Sequence, residues 1–381
     1  MKNDALSKRS DALSGVMLLL CAVISLVMAN VGLGETYLNF WNKSVFGHPL
    51  SHWIDDGLMA VFFLLVGLEI KKEIYVGELR SFKLALLPLA AAIGGMLIPA
   101  TIYLAVNYGL PTTTGFGIPM STDIVFVVGI LALLGHRVPS SLKVFMLTLA
   151  VVDDIGAVVV IALFYSAGID WLYLCAALLV FVMMIWFNKA RNVDTISIYM
   201  LLGVALWVLL MASGVHATMA GILTAAALPF RKGKITNPTL RLARILHRPV
   251  YLIVLPLFVL SNTAVVLRGE MLLNLMEPHA LGIMLGLLLG KPIGIVLLSW
   301  GVLALGWAEM PANMRWRHLI GAGCLGGIGF TMSIFVATLS FSSDLMVDSA
   351  KIAILLSSAF AAVVGCVILL SHVDSRSPHL H

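Results

Sequence analysis

Charged side chains are scarce in this 381-residue sequence. Only 11% of its residues are Asp, Glu, Lys or Arg, whereas soluble globular domains carry about 25%. Hydrophobic residues make up 60% of the chain, and its mean hydropathy is +1.03. A chain of this composition lacks the polar surface that a water-soluble fold needs. The composition therefore predicts an integral membrane protein, which we interpret as a single domain over residues 1–381.

Cysteine is also scarce, with four residues that lie in apolar runs at unrelated spacings: Cys21, Cys175, Cys324 and Cys366. The sequence has no CxxC pair and no Cys/His cluster, which argues against a disulfide framework and against zinc. It also lacks a Walker A or other nucleotide-binding loop. We therefore expect no cofactor and no ATP-driven chemistry.

Long apolar runs, in contrast, are abundant. A spanning helix needs roughly 20 mostly apolar residues. Twelve candidate spans lie near residues 13–30, 54–73, 84–106, 113–135, 141–165, 171–187, 196–212, 214–229, 249–267, 280–306, 316–341 and 347–371. The first run has the basic start of a secretory signal, but we interpret it as a span because it is long and no soluble domain follows.

Lysine and arginine fall mainly on one side of the predicted membrane. With the amino terminus in the cytoplasm, all but four of the 24 lie in cytoplasmic segments; the exceptions are Lys43, Arg268, Lys351 and Lys291. Cytoplasmic loops are enriched in these residues. The pattern predicts that both termini are cytoplasmic, and it explains the net charge of +5 without nucleic acid. The basic loop 231–248 fits the same rule, although its amphipathic pattern could also bring it to anionic lipid.

Few ionisable residues lie within the predicted spans. A charge at mid-bilayer costs roughly 2.5–3.5 kcal/mol, so such residues persist where they pair, line a wet cavity or carry ions. The alternative to a functional role is that these residues form a structural buried ion pair. The deep residues are Asp123, Asp153, Asp154 and Lys291, while Asp55, Asp56, Glu69 and Glu73 lie nearer the ends of the second span.

The adjacent acids of the fifth span, Asp153 and Asp154, are the most informative of these. Successive helical residues point about 100° apart, so the two carboxylates face different neighbours. Mutual repulsion and burial suit the pair to taking up and releasing protons. Carboxylate oxygens also suit a hard monovalent cation, so protons and Na⁺ would compete for the same oxygens. Lys291 needs an acid partner in its apolar surroundings, and either aspartate could supply it.

Two spans carry sequences that interrupt helices. In "GFGIPMSTDIVF", Pro119 removes a backbone donor, and Ser121, Thr122 and Asp123 are suitable caps for a new half-helix. Capping alone would also explain Asp123. In "GAGCLGGIGFTMSIF", the glycines between 321 and 329 indicate a second break, although they could instead permit tight helix packing. One break in each half of the chain is typical of a mid-membrane site between inverted repeats.

Six motifs, in this order, resemble the NhaA-type sodium/proton antiporters: "LMAVFFLLVGLEIKKE", "IPMSTDIVFVVGILALLG", "LAVVDDIGAVVVIALFY", "SGVHATMAGI", "LLLGKPIGI" and "GIGFTMSIFVA". The resemblance runs from about Ser14 to the last span. Inverted repeats with discontinuous helices are an established property of that family. The resemblance implies an all-α polytopic fold of twelve transmembrane helices. Inverted repeats would lie at about 84–165 and 280–371, with two discontinuous helices crossing at mid-membrane.

The resemblance also implies roles for individual residues. Asp153 and Asp154 match the ion-binding and proton-carrying pair, and Lys291 matches the lysine that pairs with the first of them. Thr122 and Asp123 match the pair at the helix crossing. A further set would serve the response to pH: Glu69, Lys72, Glu73, His216 and His247.

The activity that the resemblance implies is electrogenic exchange of about two H⁺ for one Na⁺ or Li⁺, in a bacterial inner membrane, for pH and sodium homeostasis and salt tolerance. The protein would be a secondary active transporter rather than an enzyme. The rival interpretations are a cation-coupled symporter of a small solute, a passive cation channel and a scaffold without transport. The deep polar set is small and dominated by acids, which favours a bare ion.

Three departures from the best-known members affect these expectations. Lys72 stands where they carry arginine, and Ala243 and Arg244 replace an acid–histidine pair before His247. Activation by alkaline pH is therefore expected to be shifted or weaker. The outer loop around residues 39–53 is short, and since a hairpin there supports the family's dimer, a homodimer stays an open expectation.

Overall fold

The computed structural model describes residues 2–32, 34–77, 80, 82–165, 168–190, 193–231, 237–267 and 274–371. Almost all of these residues are helical, and two short strands form the one sheet among them. Five cations counted in the sidedness prediction lie outside the described residues: Arg191, Lys232, Lys234, Arg268 and Arg376.

The helices follow the predicted apolar runs. They are α1 (Lys2–Asn30), α2 (Gly34–Trp41), α3 (Leu50–His52), α4 (Met59–Tyr75), α5 (Phe82–Val106), α6 (Ile124–Leu134), α7 (Ser140–Phe164), α8 (Trp171–Lys189), α9 (Ile196–Ser213), α10 (Met219–Ala227), α11 (Pro238–Pro249), α12 (Leu255–Asn262), α13 (Pro278–Leu285), α14 (Lys291–Ala304), α15 (Trp316–Gly326), α16 (Phe330–Ser340) and α17 (Asp344–Leu370).

Wider or tighter turns join several of these helices. The π-helical turns Trp53–Leu58, Val250–Val254 and Gly286–Gly290 precede α4, α12 and α14. The 3₁₀ helices Pro111–Met120 and Gly135–Arg137 flank α6.

Within the described residues, nine helical stretches are long and apolar enough to cross a membrane, or ten if α15 and α16 form one span bent by 42°. Helix α8 exposes large apolar side chains, such as Leu172 and Leu179, that only lipid or another apolar surface would cover. The protein is therefore a helical, multi-pass membrane protein. The count of twelve spans stays a prediction.

The predicted second and eighth spans account for the difference in count. Residues 50–75 are helical throughout but carry six charged residues, and they are not among the nine stretches. Helix α10 has only nine residues, because the chain before it forms tight turns, with the Met219 amide donating to the His216 carbonyl at 3.1 Å.

The short outer loop forms a β-hairpin. Strands β1 (Ser44–Val45) and β2 (His48–Pro49) pair antiparallel. Phe46 and Gly47 between them have φ angles of 50° and 88°, and two consecutive left-handed residues match the twist of a two-residue hairpin. The Phe46 side chain is 92% exposed at its tip.

Helices α5 and α14 pack most extensively of the described pairs. At their crossing, a Cβ on Gly94 would meet the Gly294 carbonyl, and a Cβ on Gly294 would meet the Gly94 carbonyl. The backbones approach closely only because both residues lack a side chain, as in membrane helix pairs that use small residues at the interface. This contact positions Lys291, at the start of α14, against α5.

We expect Gly294→Ala to destabilise the protein, because the new methyl group meets backbone atoms that cannot rotate away. Overpacking of this kind typically costs about 1–3 kcal/mol. Gly301→Ala, in the same helix, is the matched control, since no described atom lies within 4 Å of the point that its Cβ would occupy. Thermal unfolding in detergent should show a lowered midpoint for Gly294→Ala alone. Equal midpoints for both variants would contradict the close crossing.

Candidate functional site

The first break in a helix lies between Met120 and Ile124. Residues 121–123 are extended after the 3₁₀ helix, and Asp123 has φ −80° and ψ 101°. Its Oδ1 accepts hydrogen bonds from the amides of Val125 at 3.0 Å and Phe126 at 3.2 Å. Asp123 therefore caps α6, as the sequence predicted, and its negative charge lies at the positive end of that helix.

The second break, residues 327–329 between α15 and α16, is bound directly to the first. The Asp123 amide donates to the Ile328 carbonyl at 2.7 Å. Thr331 donates to Asp123 Oδ2 twice, from its amide at 2.9 Å and from its hydroxyl at 2.5 Å. Sequence reasoning missed Thr331, although it lies in the "GFTMSIF" motif, because nothing in the sequence shows which residues face each other across two breaks.

Lys291 pairs with Asp153 in a fully buried site. The Lys291 Nζ donates to Asp153 Oδ2 at 2.5 Å and to Thr122 Oγ1 at 2.8 Å. The Thr122 hydroxyl lies 2.7 Å from Asp153 Oδ2 and 3.0 Å from the Gly326 carbonyl, so its one proton can go to either acceptor. Thr122 thus bridges the ion pair, and through the Gly326 carbonyl it contacts the second break.

Asp154 is buried differently from its neighbour. Its side chain is 1% exposed, and neither carboxylate oxygen has a hydrogen-bond partner among the described residues. The Oδ1 atom of Asp153 likewise has none there. A buried carboxylate in this state is costly unless it binds a proton or a cation. These three oxygens are therefore the chemically available part of the site.

The predicted residues of the pH response fall in two places. Glu69, Lys72, Glu73 and His247 line a cavity of about 410 Å³ that opens on the predicted cytoplasmic side. Lys143 also lines this cavity. The lining residue of α7 nearest to Asp154 in the sequence is Val151, one helical turn before it.

His216 lies apart from this cavity. Its Nε2 is 2.9 Å from the Tyr165 carbonyl, at the other end of α7. The structure therefore brings four of the five residues together and separates the fifth from them.

Comparison with known proteins finds the same family along almost the whole chain. A family model described as Na⁺/H⁺ antiporter 1 matches residues 6–369. The chain is 48% identical over 359 residues to a "Na(+)/H(+) antiporter NhaA" of Dechloromonas aromatica, covering 93% of this chain and 92% of that protein. The protein of the same name from Cytophaga hutchinsonii is 46% identical over 356 residues, with the same coverage.

A third protein with this name, from Vibrio cholerae, is 43% identical over 365 residues, which is 95% of each chain.

We expect Lys291→Ala to destabilise the protein, because it leaves the Asp153 carboxylate buried without its cation. Removing one partner of a buried ion pair typically costs about 3–5 kcal/mol. The double variant Lys291→Ala/Asp153→Asn removes the stranded charge and should recover part of the loss. Thermal unfolding in detergent compares the three proteins, and a double variant no more stable than Lys291→Ala would contradict the pairing.

Proposed function

This chain belongs to the Na⁺/H⁺ antiporter 1 family, and from that premise we propose that it exports Na⁺ in exchange for protons held on Asp153 and Asp154. One observation carries the proposal: Asp154 has both carboxylate oxygens buried without a hydrogen-bond partner among the described residues. With the unpartnered Oδ1 of Asp153 next to them, these oxygens can take either a proton or a small cation.

The exchange follows from competition for the same oxygens. When the site faces the outside, protons neutralise the acids. When it faces the cytoplasm, protons leave and Na⁺ binds between carboxylates that are now ionised. Because a protonated carboxyl group is a poor ligand for Na⁺, the site holds protons or the cation but never both.

Lys291 and Thr122 set the charge of the empty site. The 2.5 Å contact between Nζ and Oδ2 favours the ionised form of Asp153 while the lysine is charged, against the effect of burial. A cation that binds both aspartates competes with Lys291 for Asp153. The second proton of each cycle is then carried either by Asp153 or by Lys291 itself.

Asp123 holds the backbone around this site. Its carboxylate accepts hydrogen bonds from both sides of the contact between the breaks. We propose that Thr122 and Asp123 lie where two discontinuous helices cross at mid-membrane. The reciprocal contact of Gly94 and Gly294 supports inverted repeats at about 84–165 and 280–371, since a two-fold axis would relate the two glycines.

The cavity lined by Glu69, Lys72, Glu73 and His247 is the proposed route from the cytoplasm. Its charged lining consists of two acids, Glu69 and Glu73, and two lysines, Lys72 and Lys143. Ala243 and Arg244 replace an acid–histidine pair before His247, and Lys72 replaces an arginine of equal charge but different geometry, so we propose that the pH profile differs from that of the best-known members.

We propose a stoichiometry of about two H⁺ for one Na⁺ or Li⁺, with both termini in the cytoplasm of a bacterial inner membrane. One net charge then enters per cycle. At 100 mV that charge supplies about 2.3 kcal/mol, so the membrane potential can drive sodium export and serve pH and sodium homeostasis.

The relatives' names do not favour the rival symporter of a small solute. Pairing of two copies through the short hairpin stays a prediction.

Asp154→Asn should abolish Na⁺-dependent proton movement, because an amide cannot exchange a proton for a cation. The measurement is the Na⁺-induced pH change in everted vesicles across pH 6–9, with insertion checked by immunoblot. Asp170→Asn is the control, because Asp170 caps α8 through the Leu172 amide and asparagine caps equally well. Retained exchange in Asp154→Asn would refute the assignment.

A further inference from the structure

A hydrogen-bonded cluster lies at the end of α7 that is farthest from the cavity. The Tyr165 hydroxyl donates to the Thr114 carbonyl at 2.5 Å and accepts from the Gly117 amide at 3.3 Å. The Thr114 hydroxyl donates to the Ser340 carbonyl at 3.1 Å. We name these four residues, Tyr165, Thr114, Gly117 and Ser340, the outer clasp.

The outer clasp joins three of the elements that build the site. Tyr165 directly follows α7, which carries Asp153 and Asp154. Thr114 and Gly117 belong to the 3₁₀ helix that leads into residues 121–123. Ser340 ends α16, whose first turn includes the partner of Asp123. A change at this cluster therefore reaches these three elements through continuous backbone, while Lys291 lies on α14, outside the cluster.

Tyr165 also lies on the same face of α7 as Asp154. Eleven residues, or about three helical turns and roughly 16 Å, separate the two. Ala157 and Ile161 lie between them on that face, and both are buried. On the other side of Asp154, the cavity reaches Val151. The site is thus approached by open space from the predicted cytoplasmic side and covered by packed side chains toward the clasp.

His216, in the turn between α9 and α10, also contacts Tyr165. Its Nε2 lies 2.9 Å from the Tyr165 carbonyl, while the Tyr165 ring stacks on Phe116 at 6.3 Å. The backbone and ring of Tyr165 are therefore held independently of its hydroxyl. The hydroxyl connects the end of α7 to the 3₁₀ helix through two hydrogen bonds.

We propose that Tyr165 is a positioning residue that keeps the outer route to Asp154 closed, and that release to the outside requires its hydroxyl to leave Thr114 and Gly117. The inference rests on the proposed exchange of cations. Tyr165→Phe keeps the ring and removes both hydroxyl bonds. The outward-open fraction should rise by about tenfold, the equivalent of one or two ordinary hydrogen bonds.

Thiol labelling from each side of the membrane tests this. The four native cysteines are replaced, and Ala157→Cys reports access from the outside while Val151→Cys, in the cavity, reports access from the cytoplasm. A membrane-impermeant maleimide is applied to right-side-out vesicles for the first reporter and to everted vesicles for the second. Tyr165→Phe should label Cys at 157 about tenfold faster, while Cys at 151 should label no faster than in the parent, because the inward-open fraction can only fall.

Two further variants complete the experiment. Tyr173→Phe, on the exposed surface of α8, is the matched control and should label like the parent. Thr114→Val removes the bond to Ser340 and should speed labelling at 157 by a smaller factor, without speeding labelling at 151. It also decides the matter if Tyr165→Phe does not fold.

Faster labelling at 157 without faster labelling at 151 would support the outer clasp. Unchanged labelling in folded Tyr165→Phe and Thr114→Val would overturn it, and so would faster labelling at both reporters, which indicates general loosening. Labelling needs no sodium gradient. The result therefore stands apart from the Asp154→Asn experiment, which tests the exchange itself.

Discussion

The cost of placing ionised groups out of water is the constraint on which the rest of this structure depends. Several kcal/mol per ion are lost even after the protein relaxes, so a buried charge persists only with close partners. Lys291 and Asp153 meet this condition at 2.5 Å, with Thr122 bridging them. The pairing occupies one carboxylate oxygen of Asp153. Asp154 is left without such a partner among the described residues. Its burial is therefore costly unless it binds a proton or a small cation.

The two helix breaks serve the same constraint. Backbone that leaves a helix within a membrane must find partners in the protein or in water. Asp123 supplies them for both breaks, by capping α6 and by accepting from Thr331, while its own amide bonds to Ile328. These bonds join separate helices rather than residues of one helix, so they link the two breaks next to Thr122, which bridges the ion pair.

Much of this arrangement could be predicted from the sequence, and the remainder depends on contacts between distant residues. The apolar runs predicted most of the helices, and "IPMSTD" predicted the cap at Asp123, since both are local signals. On residue chemistry alone, either aspartate could have paired with Lys291. The orientation of α7 about its axis places Asp153, rather than Asp154, against the lysine. Thr331 and Tyr165 escaped prediction because their partners lie 208 and 51 residues away, and α10 is shorter than its apolar run because turns consume the preceding residues.

The central claim is that hydrogen ions and sodium occupy the same carboxylate oxygens in turn. Titration calorimetry of Na⁺ into the purified protein, at several pH values and in buffers of different ionisation enthalpy, tests it most directly. The account predicts that affinity for Na⁺ weakens as the solution becomes more acidic and that each bound ion releases protons to the buffer. An affinity that does not depend on pH, with no proton release, would contradict it.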